Sequence, residues 1–189
     1  ALITAATVQL CNHFGLITSV GAGMTDAKTM DAQAGYEKAL TNMAAALAGA
    51  NLVAAYPGIV GSLMGQSFEG MVIDNDMLGS INRNVRGIEV NEDSLSLEVI
   101  ANVCIEGPGH YLGSDQTLSL MQKEYVYPGV ANRMSPKEWI EAGKPEIVER
   151  AAARKREILS TYYPDYLPRA IDDVIRARHD IRLPRAVME

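Results

Sequence analysis

Two glycine-rich stretches carry the polar residues best suited to chemistry. One runs from Gly21 to Gln33 and supplies Asp26, Lys28, Asp31 and Gln33. The other runs from Pro57 to Glu69, is entered by Tyr56, and supplies Ser62, Gln66 and Glu69. Carboxylates, an ammonium, amides and hydroxyls in such loops bind and orient a small polar or charged molecule. Glycines at 21, 23, 58, 61 and 65 let the backbone approach it without Cβ clashes. The same glycines also serve as plain loop punctuation, and Gly21-Ala22-Gly23 is no dinucleotide fingerprint because Asp26 stands where a third glycine is needed.

Each polar candidate has a structural reading beside the chemical one. Asp31 is a natural helix N-cap, and Glu69 and Asp74 are acids of the kind favoured at helix starts by the dipole. Gln33 and Glu37 lie four apart on one helix face, with Gln33 early enough to reach a strand end. Tyr36, Tyr56 and Phe68 are the aromatics nearest the loops. They either wall a pocket for a quaternary ammonium group by cation–π attraction or belong to the core. His13, His110 and His179 are far apart, and there is no HExxH, Cys/His quartet, GxSxG elbow or Walker loop, so no metal ligand is assigned.

The elements that must position these loops follow from periodicity. Ala5, Val8 and Cys11 predict a helix ending near Phe14 and Gly15, and Leu16–Val20 predicts a short strand. Asp31 caps a long helix through Leu47, and Asn51–Tyr56 predicts a second strand. Phe68, Val72, Leu78, Ile81 and Val85 mark a third helix ending at Gly87, and Asn91 or Asp93 caps one carrying Leu95, Val99 and Val103. Ser135-Pro136-Lys137-Glu138 is a capping box. Helices from Ile147 to about Tyr162 and from Arg169 to about Arg182 flank a breaker at Pro164–Pro168.

Strand–loop–helix repeated, with strands apolar on both faces, predicts an α/β fold with a parallel sheet covered by helices. A (βα)8 TIM barrel takes about 250 residues and builds its site at the C-terminal ends of its strands. The chain is therefore expected to be the C-terminal part of such a barrel. Residues 1–108 read as its last strand–helix units and 109–189 as a helical C-terminal extension. A chain opening on Ala1-Leu2-Ile3 inside an apolar pattern fits lost N-terminal units. This piece is then expected to lack activity alone and to expose one barrel edge on its two strands.

Composition narrows the function class. A formal charge of −6 argues against a nucleic-acid partner. Residues 1–132 hold 5 basic and 13 acidic residues, whereas 133–189 hold 12 and 10, a mixture suited to solvated helices. Cys11 and Cys104 read as two buried thiols in a reducing compartment, which with no signal peptide and no apolar span predicts a cytoplasmic protein.

The run Thr25-Asp26-Ala27-Lys28-Thr29-Met30-Asp31-Ala32-Gln33-Ala34-Gly35-Tyr36-Glu37 resembles the trimethylamine methyltransferase family of corrinoid-dependent methyltransferases. So do Ala48–Asn51, Ser67-Phe68-Glu69 with Ile73-Asp74-Asn75-Asp76, Arg86–Val90, Gly109–Gly113 with Thr117, and Trp139, Gly143 and Arg150-Ala151. The resemblance runs in order over nearly the whole chain. It implies a barrel subunit, homo-oligomeric at full length, that binds a methylated amine and presents its methyl group to the Co(I) of a corrinoid (cobalamin) carried by a cognate corrinoid protein. No cofactor is then bound by this chain directly. Cobalt is the nucleophile, so the subunit's task is to orient the donor and activate its carbon–nitrogen bond.

Some members of the family use pyrrolysine at the barrel mouth, while others lack it and take quaternary amines such as glycine betaine. Strand-end placement and membership of the resembling motifs together select Asp31, Gln33, Tyr56 and Glu69 as substrate-binding residues. Asp31 and Gln33 would be polar positioning groups, Glu69 a neighbour of the cation and Tyr56 a pocket wall. The other reading is a non-catalytic helical surface, with Arg150, Arg154 and Arg156, that docks the corrinoid protein while the missing part handles substrate.

Overall fold

The computed structural model describes residues 1–163 and 166–182. Helix α1 (Leu2–His13) leads into strand β1 (Ser19–Gly21), helix α2 (Ala32–Leu47) and strand β2 (Leu52–Ala54). The two strands pair in parallel, with Ser19 opposite Leu52, Val20 opposite Val53 and Gly21 opposite Ala54. Parallel neighbours need a long crossover, and α2 supplies it, as the α/β reading requires.

The ladder is shorter than the apolar runs suggested. Leu16 and Ile17 lie outside it at 58% and 89% exposure, because the described residues provide no further strand beside β1 for them to pair with or pack on. The junction below the ladder is built from side chains instead. The Thr18 backbone N–H donates to Asn51 Oδ1 at 2.9 Å, and the Asn51 backbone N–H donates to the Thr18 hydroxyl at 3.1 Å. Val53 and Ala55 are half-buried and line a cavity with Asn42 and Ala46 of α2 and Leu78 and Ile81 of the helix over 68–86, so helices back this face of the sheet. The opposite face, with Ser19, Leu52 and Ala54, is exposed, Leu52 by 61%. Burial on both faces was expected; the described residues cover one.

The second glycine-rich stretch is not a plain loop. It folds into an antiparallel hairpin of β3 (Ile59–Val60) and β4 (Gly65–Gln66), with Ile59 opposite Gln66. Helix α3 (Phe68–Arg86) follows, its first turn capped by the Ser67 hydroxyl, which accepts from the Gly70 amide at 3.0 Å. The next predicted helix is two, α4 (Glu92–Leu95) and α5 (Leu97–Cys104), since Ser96 takes a left-handed φ of 57° between them. Cys104 is exposed, with its thiol 3.1 Å from the Tyr111 hydroxyl, and Cys11 is half-buried. That corrects the expectation of two buried thiols: α5 is a two-turn helix on which only Val103 is buried.

Helix α6 (Asp115–Glu124) was not expected from sequence: its apolar residues are confined to Leu118, Leu120 and Met121, and Ser114 at its N-cap makes no side-chain bond to mark a start. It is held by charge, with Glu124 accepting from Arg83 at 2.5 Å and from Arg86 at 2.7 Å. Helices α7 (Pro136–Glu141), α8 (Ile147–Thr161) and α9 (Arg169–Arg178) follow among the described residues. The Ser135–Glu138 capping box forms as its spacing predicts, and α9 stops at His179 rather than Arg182. Pro164 and Asp165 of the predicted breaker lie outside the described residues.

The core is small and sits between helices: Val8, Ala34, Ala45, Ile81 and Ala151 are almost fully buried. Helix α8 packs along α3, so part of the C-terminal half folds back on the strand–helix unit. A carboxylate anchors the segment ahead of α7. Asp76 of α3 accepts the amides of Gly129, Val130 and Ala131 at 3.0, 2.6 and 3.1 Å, and Val130 is buried beneath them. No helix among the described residues is long and apolar enough to cross a membrane. Replacement Asp76→Ala removes all three acceptor contacts at once. It is expected to speed hydrogen exchange at residues 129–131 by at least tenfold while leaving the amides of α2 unchanged.

Candidate functional site

The two loops that leave β1 and β2 are tied together by one buried ion pair. Lys38 of α2 and Asp74 of α3 have side chains 0% and 3% exposed, with Nζ 2.9 Å from Oδ2. An ammonium has three protons, and Lys38 places all of them. One goes to Asp74, one to the Gly23 carbonyl at 2.8 Å and one to the Tyr56 carbonyl at 3.2 Å. Asp74 Oδ2 also accepts from the Gly58 amide at 2.7 Å. A buried charge is tolerated only when paired and hydrogen-bonded in this way.

Asp74 is therefore no helix-start acid, as its sequence position had suggested. It lies beyond the first turn of α3 and faces α2. Lys38 drew no functional reading from sequence, yet a signal was there. It sits on the same helix stripe as Ala34, Asn42 and Ala45, where a lysine between small residues cannot reach water.

Close backbone approach around this pair demands two of the glycines. Gly23 has φ +76°, and a Cβ there would lie 2.0 Å from the Ala55 carbonyl oxygen. Gly58 has φ +74°, and its Cβ would lie 2.4 Å from the Ser67 carbonyl oxygen. The Gly23 amide donates to the Thr41 hydroxyl at 2.9 Å, which fixes the end of β1 against α2.

Glu37 organises the first loop. Its carboxylate accepts from the Thr25 hydroxyl at 2.6 Å, the Asp26 amide at 2.9 Å and the Gln33 side-chain amide at 3.0 Å. The Thr25 hydroxyl, then the Gln33 amide and the Asp26 N–H, hold its pKa below the ordinary glutamate range. The hairpin lies on this loop. Gly61 donates to the Ala27 carbonyl at 2.7 Å, Ser62 donates to the Thr25 carbonyl at 2.9 Å, and the Ser62 hydroxyl donates to the Asp26 carboxylate. The hairpin places Ser62 and Leu63 at left-handed φ values of 56° and 72°, and Tyr56 just before it at 42°.

Of the four residues selected from sequence, Asp31 and Gln33 stand together at the start of α2. Asp31 caps the helix, accepting from the Ala34 amide at 3.1 Å, and this backbone bond lowers its pKa. Tyr56 lies across the end of β1, close enough that a Cβ on Gly21 would be 3.0 Å from its ring. Glu69 is engaged elsewhere: its carboxylate pairs with Lys155 of α8, whose ammonium is the main cause of its lowered pKa. Tyr36 and Phe68 are exposed at 56% and 61%, so neither is core. Arg154, expected on a docking surface, pairs with Glu157 at 2.7 Å along its own helix. The array thus offers an aromatic ring, an amide and carboxylates held ionised, which suits the binding and orientation of a small cation.

Two measurements check this account. Lys38→Met strands the Asp74 charge and is expected to cost about 3–5 kcal/mol in urea unfolding, most of it restored in Lys38→Met/Asp74→Leu. Because the folded pKa of Glu37 is lowered, its contribution is present above the ordinary value of about 4.3 and fades as pH falls through the lower folded value. In a carbon-13 carboxyl titration, Thr25→Val is expected to raise the Glu37 pKa toward that ordinary value.

Comparison with known proteins gives the family of the chain. A model of the family described as trimethylamine methyltransferase (MTTB) matches residues 1–182. A glycine betaine methyltransferase of Desulfitobacterium hafniense is 35% identical over 94% of this chain and 36% of its own length. The trimethylamine methyltransferase MttB of Methanosarcina thermophila is 33% identical over 85% of this chain and 32% of its own length. The chain thus spans about a third of the length of these relatives. With a match over almost all of its residues, it belongs to the trimethylamine methyltransferase family.

Proposed function

We propose that this chain is the C-terminal part of a (βα)8-barrel methyltransferase acting in the cytoplasm. It would move a methyl group from a methylated amine, either trimethylamine or a quaternary amine such as glycine betaine, to the Co(I) corrinoid of a partner protein. The observation that carries the reading is where the family match falls on the fold. Residues 25–37 and 67–76, which bear the resemblance, build the first loop, cap the two helices and supply Asp74 of the ion pair beneath Tyr56. The barrel reading rests on two parallel neighbours joined by a helix, with one face covered and the other bare. In a barrel that bare face would turn to the interior, and both loops would sit at the catalytic end.

The nucleophile would be the partner's cobalt, so the work left to this chain is binding and orientation. The methyl group would leave without its bonding electrons, which stay on the amine nitrogen, and cobalt would supply the pair for the new bond. Tyr56 would present its ring to the cationic nitrogen, and Gln33, fixed by Glu37, would orient the polar end of the donor. Asp31 and Glu69 would set the rim from the starts of α2 and α3. Glu37 and Asp26 add negative charge on the same loop, favouring a cationic donor.

The test is an assay of the full-length gene product with its corrinoid protein, following methylcobalamin formation spectroscopically. Trimethylamine, glycine betaine, proline betaine and carnitine form the donor panel. One donor is expected to be turned over. Tyr56→Ala is expected to raise its KM by roughly tenfold, as loss of a desolvated cation–π contact of about 1–2 kcal/mol implies. Methyl transfer from none of the four donors would overturn the proposal.

A further inference from the structure

We propose that the Lys38–Asp74 ion pair is a positioning device for Tyr56, a clamp that keeps its ring over the end of β1. The inference rests on the reading of the strand ends as a cation site, and it assigns to that site two residues that touch no substrate. It starts from the backbone. A bulky residue with φ of 42° is a conformational outlier, stable only when its surroundings over-determine it. The structure shows what does so. Lys38 Nζ donates to the carbonyl of Tyr56 itself, and two residues on, Asp74 Oδ2 accepts the amide of Gly58. The peptide segment is thus gripped on both sides of Pro57 by the two halves of one buried ion pair.

The same ammonium holds the Gly23 carbonyl, so the end of β1 and the start of the second loop share a single fixed point. That fixed point sets the ring position. Tyr56 Cε2 lies where a Cβ on Gly21 would approach to 3.0 Å, and glycine at 21 is what lets the ring settle there. Gly21 itself does not have a positive φ, so its role is space rather than backbone freedom. Without the pair, the Tyr56 carbonyl keeps only the neutral Ile59 amide, at 3.2 Å, and the Gly58 amide loses its carboxylate acceptor. The residue is then expected to relax toward an ordinary φ and carry its ring off the strand.

The test uses the full-length protein and the replacement Lys38→Met/Asp74→Leu, which removes both charges together so that neither is left stranded in the core. Donor binding is measured by calorimetry in a cycle with Tyr56→Ala, using the amine turned over in the assay. The charge-free pair is expected to weaken binding about tenfold, as Tyr56→Ala does, and the combined variant to show no further loss. Multiplying losses, or a charge-free pair that binds as the wild type does, would overturn the clamp. Gly21→Ala, which crowds the ring and leaves the ion pair intact, is expected to weaken binding by a similar factor.

A ligand-independent readout separates this inference from the functional one. With fluorotyrosine incorporated, the Tyr56 resonance (identified by its loss in Tyr56→Phe) is expected to shift toward the free amino acid in the charge-free pair. An unmoved resonance would overturn the clamp even if donors bind. A shifted resonance in a protein that binds no donor would support the clamp and sink the cation-site reading instead.

Discussion

A lysine ammonium shut off from water has to find acceptors for three protons, and Lys38 finds them on three separate segments. The turn after β1, the turn after β2 and the second helical turn of α3 all converge on one nitrogen. Breaking any one contact would leave a buried charge short of a partner, so the three segments hold their places as a unit. The arrangement explains why glycines stand at 23 and 58, where the backbone must come within hydrogen-bonding reach of the pair. It also explains how the loops, which carry few apolar residues, acquire a defined shape.

Around that pair the polar residues form a second layer. Glu37 gathers the hydroxyl of Thr25, the amide of Asp26 and the side chain of Gln33, and the hairpin then lies over the loop through Gly61 and Ser62. Strain is concentrated here: left-handed Tyr56, Ser62 and Leu63 occupy one short stretch. Backbone outliers persist where surrounding bonds force them, and they cluster at sites with something to position. A loop so constrained holds its side chains in fixed orientations.

The outer parts of the molecule are held more by polar contacts than by a deep core. Asp76 collects three successive amides, Glu124 joins the ends of α3 and α6, and Lys155 joins α8 to Glu69. Few large side chains are fully buried, and much of the apolar surface, from Leu2 and Ile3 to Ile17 and Leu52, stays exposed. Such contacts fix where helices sit without contributing the large hydrophobic term that usually drives folding.

Local signals in the sequence carried the elements that depend on neighbours within a turn or two. The Asp31 cap, the Ser135–Glu138 box and the helix from Phe68 to Gly87 were legible, because capping and periodicity act over a few residues, and the parallel pairing followed from the strand–helix–strand order. The family resemblance was legible for the same reason, as an ordered series of short motifs. Helix α6 and the hairpin were not, since the first has a short apolar run and no side-chain cap and the second depends on contacts with a distant loop. The pairing of Lys38 with Asp74, 36 residues apart, and of Glu69 with Lys155, 86 apart, could only come from the fold. The sequence determined which charged residues exist and which helix faces they occupy. Tertiary structure alone decided which lose their water, and therefore which must find one another.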